Sequence, residues 1–133
     1  MGEDERLSAL GAVVPLAGKL GIVLLEAGRD MVRAYLKCSP ELCTAAGAMH
    51  GGALMALANN CGGVCAFLNL PAEFKATATI ASAANFLRAV HEGNVTAVTR
   101  PLHRGRTLIV LETELRREDG TLAAKVTQTQ VFR

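Results

Sequence analysis

The sequence predicts an α+β domain in which one long apolar helix packs against a curved antiparallel sheet. The chain has 133 residues and half of them are apolar, which suffices for one hydrophobic core and leaves little room for a second. Helical apolar spacing covers residues 50–68, and long strand-like segments follow it. We expect a single domain over residues 1–133, with an N-terminal helical segment at 1–19 and the core at 20–133.

The expected elements follow the apolar periodicity along the chain. Residues 4–17 have helical spacing, and Pro15 should bend or end that helix. Residues 20–38 predict two strands that are separated by a Gly-Arg-Asp turn. The helix of residues 50–68 is apolar nearly all round, which indicates burial on most sides. The later segments are consecutive strands, so we expect an antiparallel meander that includes a hairpin at residues 118–120.

Composition argues against nucleic acid and membrane as partners. The formal net charge is +2, from 14 basic and 12 acidic residues, and the five aromatic residues include no Trp. Residues 51–72 carry no charge, but their four glycines and three asparagines favour a buried helix over a membrane span. The first residues do not have the pattern of a signal peptide, so we expect a cytoplasmic protein.

The four cysteines, Cys38, Cys43, Cys61 and Cys65, do not have the spacing of a zinc site. We expect buried free thiols that stay reduced, and no bound metal. Cys61 and Cys65 are four residues apart, so they share one face of the predicted helix.

The start of the long helix carries His50, Gly51 and Gly52. The first N–H groups of a helix lack internal partners and lie at the positive end of its dipole. Glycine there lets the oxygen of a ligand approach the backbone, where a developing oxyanion would be stabilised. On spacing alone, the alternative is that the two glycines only permit close packing of the helix on the sheet.

The segment GAMHGGALMALANNCGG resembles the HGG signature of hotdog-fold acyl-CoA thioesterases of the 4-hydroxybenzoyl-CoA and phenylacetate-degradation type. The second half is also similar to that family, with an aromatic-Leu-Arg segment, a basic turn and an Asp-Gly hairpin in the same order. The resemblance covers about residues 20–132. It implies a hotdog fold, a homodimer with a two-fold axis, and hydrolysis of acyl-CoA with no metal and no separate cofactor, since coenzyme A is part of the substrate.

The resemblance also implies roles for individual residues. The Gly51 N–H would donate to the thioester carbonyl, and His50 would help to shape the site. The family's catalytic acid stands nine residues after the His, where this chain has Asn59. Related enzymes often carry an Asn six residues before the His, where this chain has Thr44.

If His50 and Asn59 serve one active site, their separation predicts that this site lies between two copies of the chain. Nine residues of α-helix span roughly 13 Å, so these two residues of one chain cannot meet at one reacting group. Two antiparallel copies of the helix could bring them together, which would place two active sites at a dimer interface. A tetramer made of two such dimers is common in this superfamily.

An amide at position 59 changes the chemistry that can be expected. Asn is neutral and a poor nucleophile, so it cannot act as a base, although it can hold a water molecule against a carbonyl. The alternative is that the Asn59 and Asn60 amides are only satisfied by backbone groups across the helix or across a dimer contact, which we favour for Asn60.

Several further residues are candidates for the site. Thr79 matches a hydroxyl that helps to orient water in some relatives, and alternation predicts that it shares a strand face with Thr77, Ala81, Ala83 and Asn85. We expect Phe86 to shape the acyl pocket and the basic residues near Gly105 to contact the phosphates of CoA. The residues expected to contact substrate are Gly52, Asn60, Asn85, Phe86, Arg88, His103, Arg104, Gly105 and Arg106. For each basic residue the alternative is a solvated turn.

The resulting hypothesis is a thioesterase that hydrolyses a medium-chain, branched or aromatic acyl-CoA, with Asn59 in place of the usual acid. The alternative is a non-catalytic acyl-CoA-binding or sensing protein that keeps the pocket. A hotdog hydratase ranks last, because it requires an Asp-His pair and residues 31–118 contain no Asp.

Overall fold

The computed structural model describes residues 2–133, and within them it has three α-helices, one 3-10 turn and six strands. Their bounds are α1 Glu3–Ala12, α2 Pro15–Leu20, β1 Val23–Ala27, β2 Val32–Lys37, the 3-10 turn Pro40–Leu42, α3 Gly51–Leu68, β3 Thr77–Phe86, β4 Asn94–Arg104, β5 Leu108–Arg116 and β6 Leu122–Phe132. The predicted α+β class and the hotdog fold are confirmed, because α3 packs on an antiparallel six-stranded sheet.

The strand order is β1-β2-β4-β5-β6-β3, so the predicted meander holds only for β4, β5 and β6. The hairpin at residues 118–120 is confirmed, and Gly120 takes a φ of +85° there, which suits glycine. The prediction was wrong for β3, which pairs with β6 at the edge opposite β1. Sequence pattern gives the face of a strand but does not identify its neighbour, so the crossover made by residues 87–93 was not predictable.

The long helix α3 agrees with its prediction in position, but only one of its faces is covered. Leu57, Ala58, Cys61 and Cys65 are fully buried against the sheet. The opposite face lines an open groove beside α2. Half of α3 is buried, so its membrane-like length and hydropathy are accounted for by its place in the core.

The N-terminal segment differs from the single bent helix that was predicted. Pro15 begins α2 at its first position instead of ending α1. Pro is well suited to that position because the N–H it lacks has no intrahelical partner there. A Gly21 φ of +87° then ends α2.

The cysteines divide into two pairs of different exposure. Cys61 and Cys65 are fully buried free thiols on one helix face, as predicted, and burial raises the pKa of Cys61 to about 12 and that of Cys65 to about 11. Cys38 and Cys43 are also free but only half-buried, so the prediction of four buried thiols was wrong for this pair. They lie in the segment between β2 and α3, and both border a surface cavity.

Close contact between α3 and β6 depends on the absence of a side chain at Gly62. The Gln128 side chain, 1% exposed, lies against Gly62 and donates from Nε2 to the Ala58 carbonyl at 3.1 Å. A Cβ on Gly62 would overlap the Gln128 amide more closely than real Cβ contacts allow. Because Gln128 is buried and hydrogen-bonded, it cannot move aside at little cost.

Gly62→Ala is therefore expected to destabilise the fold by about 1–3 kcal/mol, since it overpacks the contact between α3 and β6. Gly18→Ala is the control, because Gly18 is helical and has open space around its Cβ position. That variant should be unchanged or stabilised by about 0.5–1 kcal/mol. Urea unfolding measures both, and equal stabilities for the two variants would contradict the close fit.

Candidate active site

His50 caps the start of α3 with its own side chain. The Gly52 N–H donates to His50 Nδ1 at 2.7 Å, and the His50 N–H donates to the Leu42 carbonyl at 2.7 Å. Because Nδ1 accepts a hydrogen bond, the neutral ring carries its proton on Nε2. A Cβ on Gly52 would lie 2.9 Å from Nδ1, so the cap also requires glycine at that position.

The Gly51 N–H is left without a hydrogen-bond acceptor among residues 2–133. It lies at the first position of α3, where the helix dipole is positive. The exposed Phe86 ring lies over it, since a Cβ on Gly51 would meet three ring carbons at 3.0–3.3 Å. The site therefore presents one free backbone donor beside an aromatic ring, an arrangement that can stabilise an oxyanion.

Asn59 lies nine residues, or about two and a half turns, after His50, and its side chain accepts a hydrogen bond from a residue of β3. Ser82 Oγ of β3 donates to Asn59 Oδ1 at 2.9 Å. With its oxygen engaged, the half-buried Asn59 amide has its two Nδ2 hydrogens to offer to a ligand. Ser82 was missed by sequence reasoning, which placed it on the opposite strand face from Thr79.

A bulge in β3 explains that error. Thr79 pairs with Gln130 and Ala81 with Thr129, so Ile80 is an extra residue on β3 and the alternation of faces reverses beyond it. Thr79 and Ser82 consequently share the face towards α3, and the predicted common face with Ala81, Ala83 and Asn85 was wrong. Asn85 is exposed on the outer face, and its role in substrate binding stays a prediction.

Buried amides connect Thr79 to the helix. Gln130 Nε2 donates to Thr79 Oγ1 at 2.6 Å and to Gln128 Oε1 at 3.0 Å, and Gln128 in turn donates to the Ala58 carbonyl. Both glutamines are at most 2% exposed. Because Thr79 accepts from Gln130, its own O–H proton is free to point away from that bond. Neither glutamine was predicted, although two glutamines spaced by two residues in a β-branched strand are a usable signal.

Asn60 was expected to have its amide satisfied across the helix or across a dimer contact, and this stays a prediction. Its Oδ1 is buried and has no hydrogen-bond partner among the described residues. An unpaired buried amide oxygen is costly in an isolated protomer. Asn60 also borders the groove.

The open face of α3 and the N-terminal helix α2 enclose an apolar groove of about 500 Å³. Val14, Leu16 and Ile22 form its α2 side, and the α3 side holds Met55 and Asn59. None of the residues around this groove is charged, and Gly52 at the start of α3 also borders it. An acyl group of moderate size has the right polarity to fill such a space.

The basic residues predicted to bind phosphate lie at two separate ends of the protomer. Arg88 follows β3 next to Phe86, at the start of α3. Arg104 donates to the Arg29 carbonyl and to Asp30 Oδ1, both at 2.6 Å, beside Asn69 at the other end of α3. The 18 residues of α3 separate these ends by roughly 27 Å. The cluster of His103, Arg104, Gly105 and Arg106 is therefore remote from Gly51 within one chain.

Comparison with known proteins agrees with this geometry. The sequence profile of the Thioesterase superfamily matches residues 46–124. A Deinococcus radiodurans protein is 35% identical over 105 residues, which span 79% of this chain and 65% of that protein. The 1,4-dihydroxy-2-naphthoyl-CoA hydrolase of Escherichia coli is 32% identical, with 89% of this chain and 85% of that enzyme covered.

A solved mutant thioesterase from Pseudomonas aeruginosa superposes with a TM-score of 0.89. It is 26% identical, and the match covers 99% of this chain and 94% of that structure. The chain therefore belongs to the thioesterase superfamily and, as a member of it, is a thioester hydrolase with the hotdog fold.

Proposed function

We propose that the chain hydrolyses a medium-chain, branched or aromatic acyl-CoA, with the thioester carbonyl bound at the Gly51 N–H. The observation that carries the proposal is this free donor at the positive end of α3, which lies beside the Phe86 ring. The neighbouring N–H of Gly52 is already satisfied by His50, so the carbonyl has one defined backbone partner. The uncharged groove along α3 would take the acyl group. The proposed reaction uses no metal and no separate cofactor, since coenzyme A is part of the substrate.

Each complete site would use two copies of the chain. Asn59 lies roughly 13 Å along α3 from His50, so one protomer does not bring both to one carbonyl. Antiparallel packing of two α3 helices would place Asn59 of one copy opposite Gly51 of the other and form two equal sites. The outer edge of β3 supports such an interface, because this ten-residue strand pairs only with β6 and exposes Ile80 and Phe86. We further propose that two such dimers form a homotetramer and that the enzyme acts in the cytoplasm.

The same packing would complete the phosphate site. It brings the basic turn at the end of β4, which lies beside the C-terminal end of α3 in one copy, towards the start of α3 in the other copy, where Arg88 lies. Arg104 is 42% exposed and paired with an exposed Asp30, and a phosphate could replace this partner at little cost. Phosphate contact by the basic turn around Gly105 is part of the proposal.

We expect hydrolysis by this chain to be slow, because Asn59 cannot act as a base. Its oxygen accepts from Ser82, so it offers donors and no base to the attacking water. The Asn59 amide would hold the water or the carbonyl in place, and the Thr79 hydroxyl would be a second hydrogen-bond donor. General-base help contributes about 10²- to 10⁴-fold in rate, and this chain would lack that part.

The missing base also favours a second candidate function, a protein that binds acyl-CoA without turning it over. That candidate keeps the groove and the Gly51 donor but has no use for a positioned water. The two functions differ in whether thiol is released from a bound acyl-CoA.

Gly51→Pro tests the backbone donor directly, because Pro removes the N–H. Pro is compatible with the first position of a helix, and His50 already has the extended φ of −62° and ψ of 135° that a residue before Pro adopts. The expected result is a loss of about 10²- to 10³-fold in kcat for acyl-CoA hydrolysis with little change in thermal stability.

Gly51→Ala is the matched control. It places a Cβ against the same Phe86 ring but keeps the N–H, and the ring is 53% exposed and free to shift. It should keep kcat within a few-fold of the native value. Equal losses in the two variants would show that crowding of Phe86, and not loss of the donor, causes the defect.

Asn59 variants test the missing base. Asn59→Asp should release thiol from a panel of acyl-CoAs faster than the native chain, by up to about 10²- to 10⁴-fold, because the carboxylate can act as a base while still accepting from Ser82. Asn59→Ala should lose most of the native rate. Asn60→Asp controls for charge alone, since it lies about 100° further round α3, and it should give no gain.

Tight acyl-CoA binding with no thiol release by the native chain or by Asn59→Asp would contradict hydrolysis and support the binding function. Binding is measured by calorimetry on the same panel.

A further inference from the structure

A second pair of reactive groups lies outside the groove and the proposed catalytic residues. Cys38 Sγ and Cys43 Sγ are 3.7 Å apart, at the two ends of the short segment that contains the 3-10 turn Pro40–Leu42. Both side chains are half-buried, unlike the fully buried Cys61 and Cys65. A cavity of about 480 Å³, bordered by Lys37, His91 and Glu92, opens on both sulfur-bearing residues and gives access from solvent.

This pair is joined to the start of α3 by short backbone contacts. Cys43 forms a strand-like bridge with Met49, and the Leu42 carbonyl accepts from the His50 N–H at 2.7 Å. On the other side, the Cys38 N–H donates to the Gly93 carbonyl at 2.8 Å, which fixes the end of β2. A covalent link between the two sulfurs would therefore close a small ring next to the residue that caps α3.

We propose that Cys38 and Cys43 are a modification site, at which a hydroperoxide reversibly converts the two thiols into an intrachain disulfide. One sulfur attacks the peroxide oxygen, which gives a sulfenic acid and releases an alcohol, or water from hydrogen peroxide. The second thiol then displaces hydroxide from that sulfenic acid, which forms the S–S bond and releases water. The two thiols lose two electrons and the peroxide gains them, so the reaction balances without another reagent.

The two thiols are in direct contact, so either can serve the other. Burial and the neighbouring Cys43 raise the pKa of Cys38. Whichever sulfur is oxidised first, the other lies close enough to act as the resolving thiol. Disulfides in reducing compartments are typically transient and regulatory, which fits a pair that is close but not bonded in the reduced chain.

Closure has a structural consequence for the helix start. A disulfide needs a sulfur separation of about 2.05 Å, so the sulfurs must approach each other by roughly 1.7 Å from their reduced positions. The segment that moves carries the Leu42 carbonyl, which anchors the His50 N–H. Oxidation should therefore loosen the cap of α3 and lower thioester hydrolysis. This last consequence rests on the proposed function, whereas formation of the disulfide does not.

The experiment treats the native full-length chain with a small excess of hydrogen peroxide and then alkylates the remaining thiols. Before alkylation, the oxidised chain should be lighter than the reduced chain by about 2 Da, from loss of two hydrogens, and dithiothreitol should restore the original mass. After unfolding and alkylation, peptide mapping should find Cys38 linked to Cys43 and alkyl groups on Cys61 and Cys65. Thiol release from acyl-CoA is followed in parallel.

The variants separate the two sulfurs. Cys38→Ser and Cys43→Ser each remove the resolving partner, so the thiol that remains should accumulate a sulfenic acid that dimedone traps, and neither variant should form the intrachain disulfide. A native chain that keeps four free thiols, forms only links between chains, or goes directly to sulfinic acid would overturn the proposal. These readouts on the native chain stand even where a variant fails to fold. If the disulfide forms but the reduced chain hydrolyses no acyl-CoA, the modification site stands and the result counts against the proposed function instead.

Discussion

The hydrogen bond from the Gly52 N–H to His50 Nδ1 determines what the start of α3 can do. It satisfies one of the unpaired donors of the helix with a side chain from the same turn, and it leaves the Gly51 N–H unoccupied at the positive end of the dipole. The cap requires glycine at position 52, because a side chain there would collide with the imidazole, whereas a methyl group at position 51 would meet only the exposed Phe86 ring. The His50-Gly51-Gly52 signature therefore combines a side-chain cap on the helix with one free backbone donor.

The rest of the protomer holds that helix at a fixed distance from β3. Gln128 fits against Gly62 and bonds the Ala58 carbonyl, Gln130 bonds Thr79, and Ser82 bonds Asn59. Buried amides that are hydrogen-bonded in this way are rigid, because breaking any one bond leaves a desolvated group without a partner. The polar groups near the active site are therefore positioned by β3 and β6 as much as by α3.

The sequence was sufficient for the features that depend on local pattern. Apolar spacing located α3 within one residue of its observed start, and the strand pattern located β1 and β2 within residues 20–38. It failed where structure depends on distant partners. The extra residue Ile80 reverses the alternation of faces along β3, so Ser82 lies on the inner side and Asn85 on the outer side. Nothing in the local sequence of β3 signals this bulge. The fit of Gln128 to Gly62 likewise joins residues that are far apart in sequence.

The central claim is that each active site combines Gly51 of one copy with Asn59 of another, and mixed dimers test it most directly. Gly51→Pro and Asn59→Ala chains are unfolded together, refolded as an equal mixture, and assayed for acyl-CoA hydrolysis. Half of the dimers would be mixed, and each mixed dimer would hold one site with both native residues. Mixing two nearly inactive variants should therefore recover about one quarter of the native rate. No recovery, in a mixture shown by mass spectrometry to contain mixed dimers, would contradict the central claim.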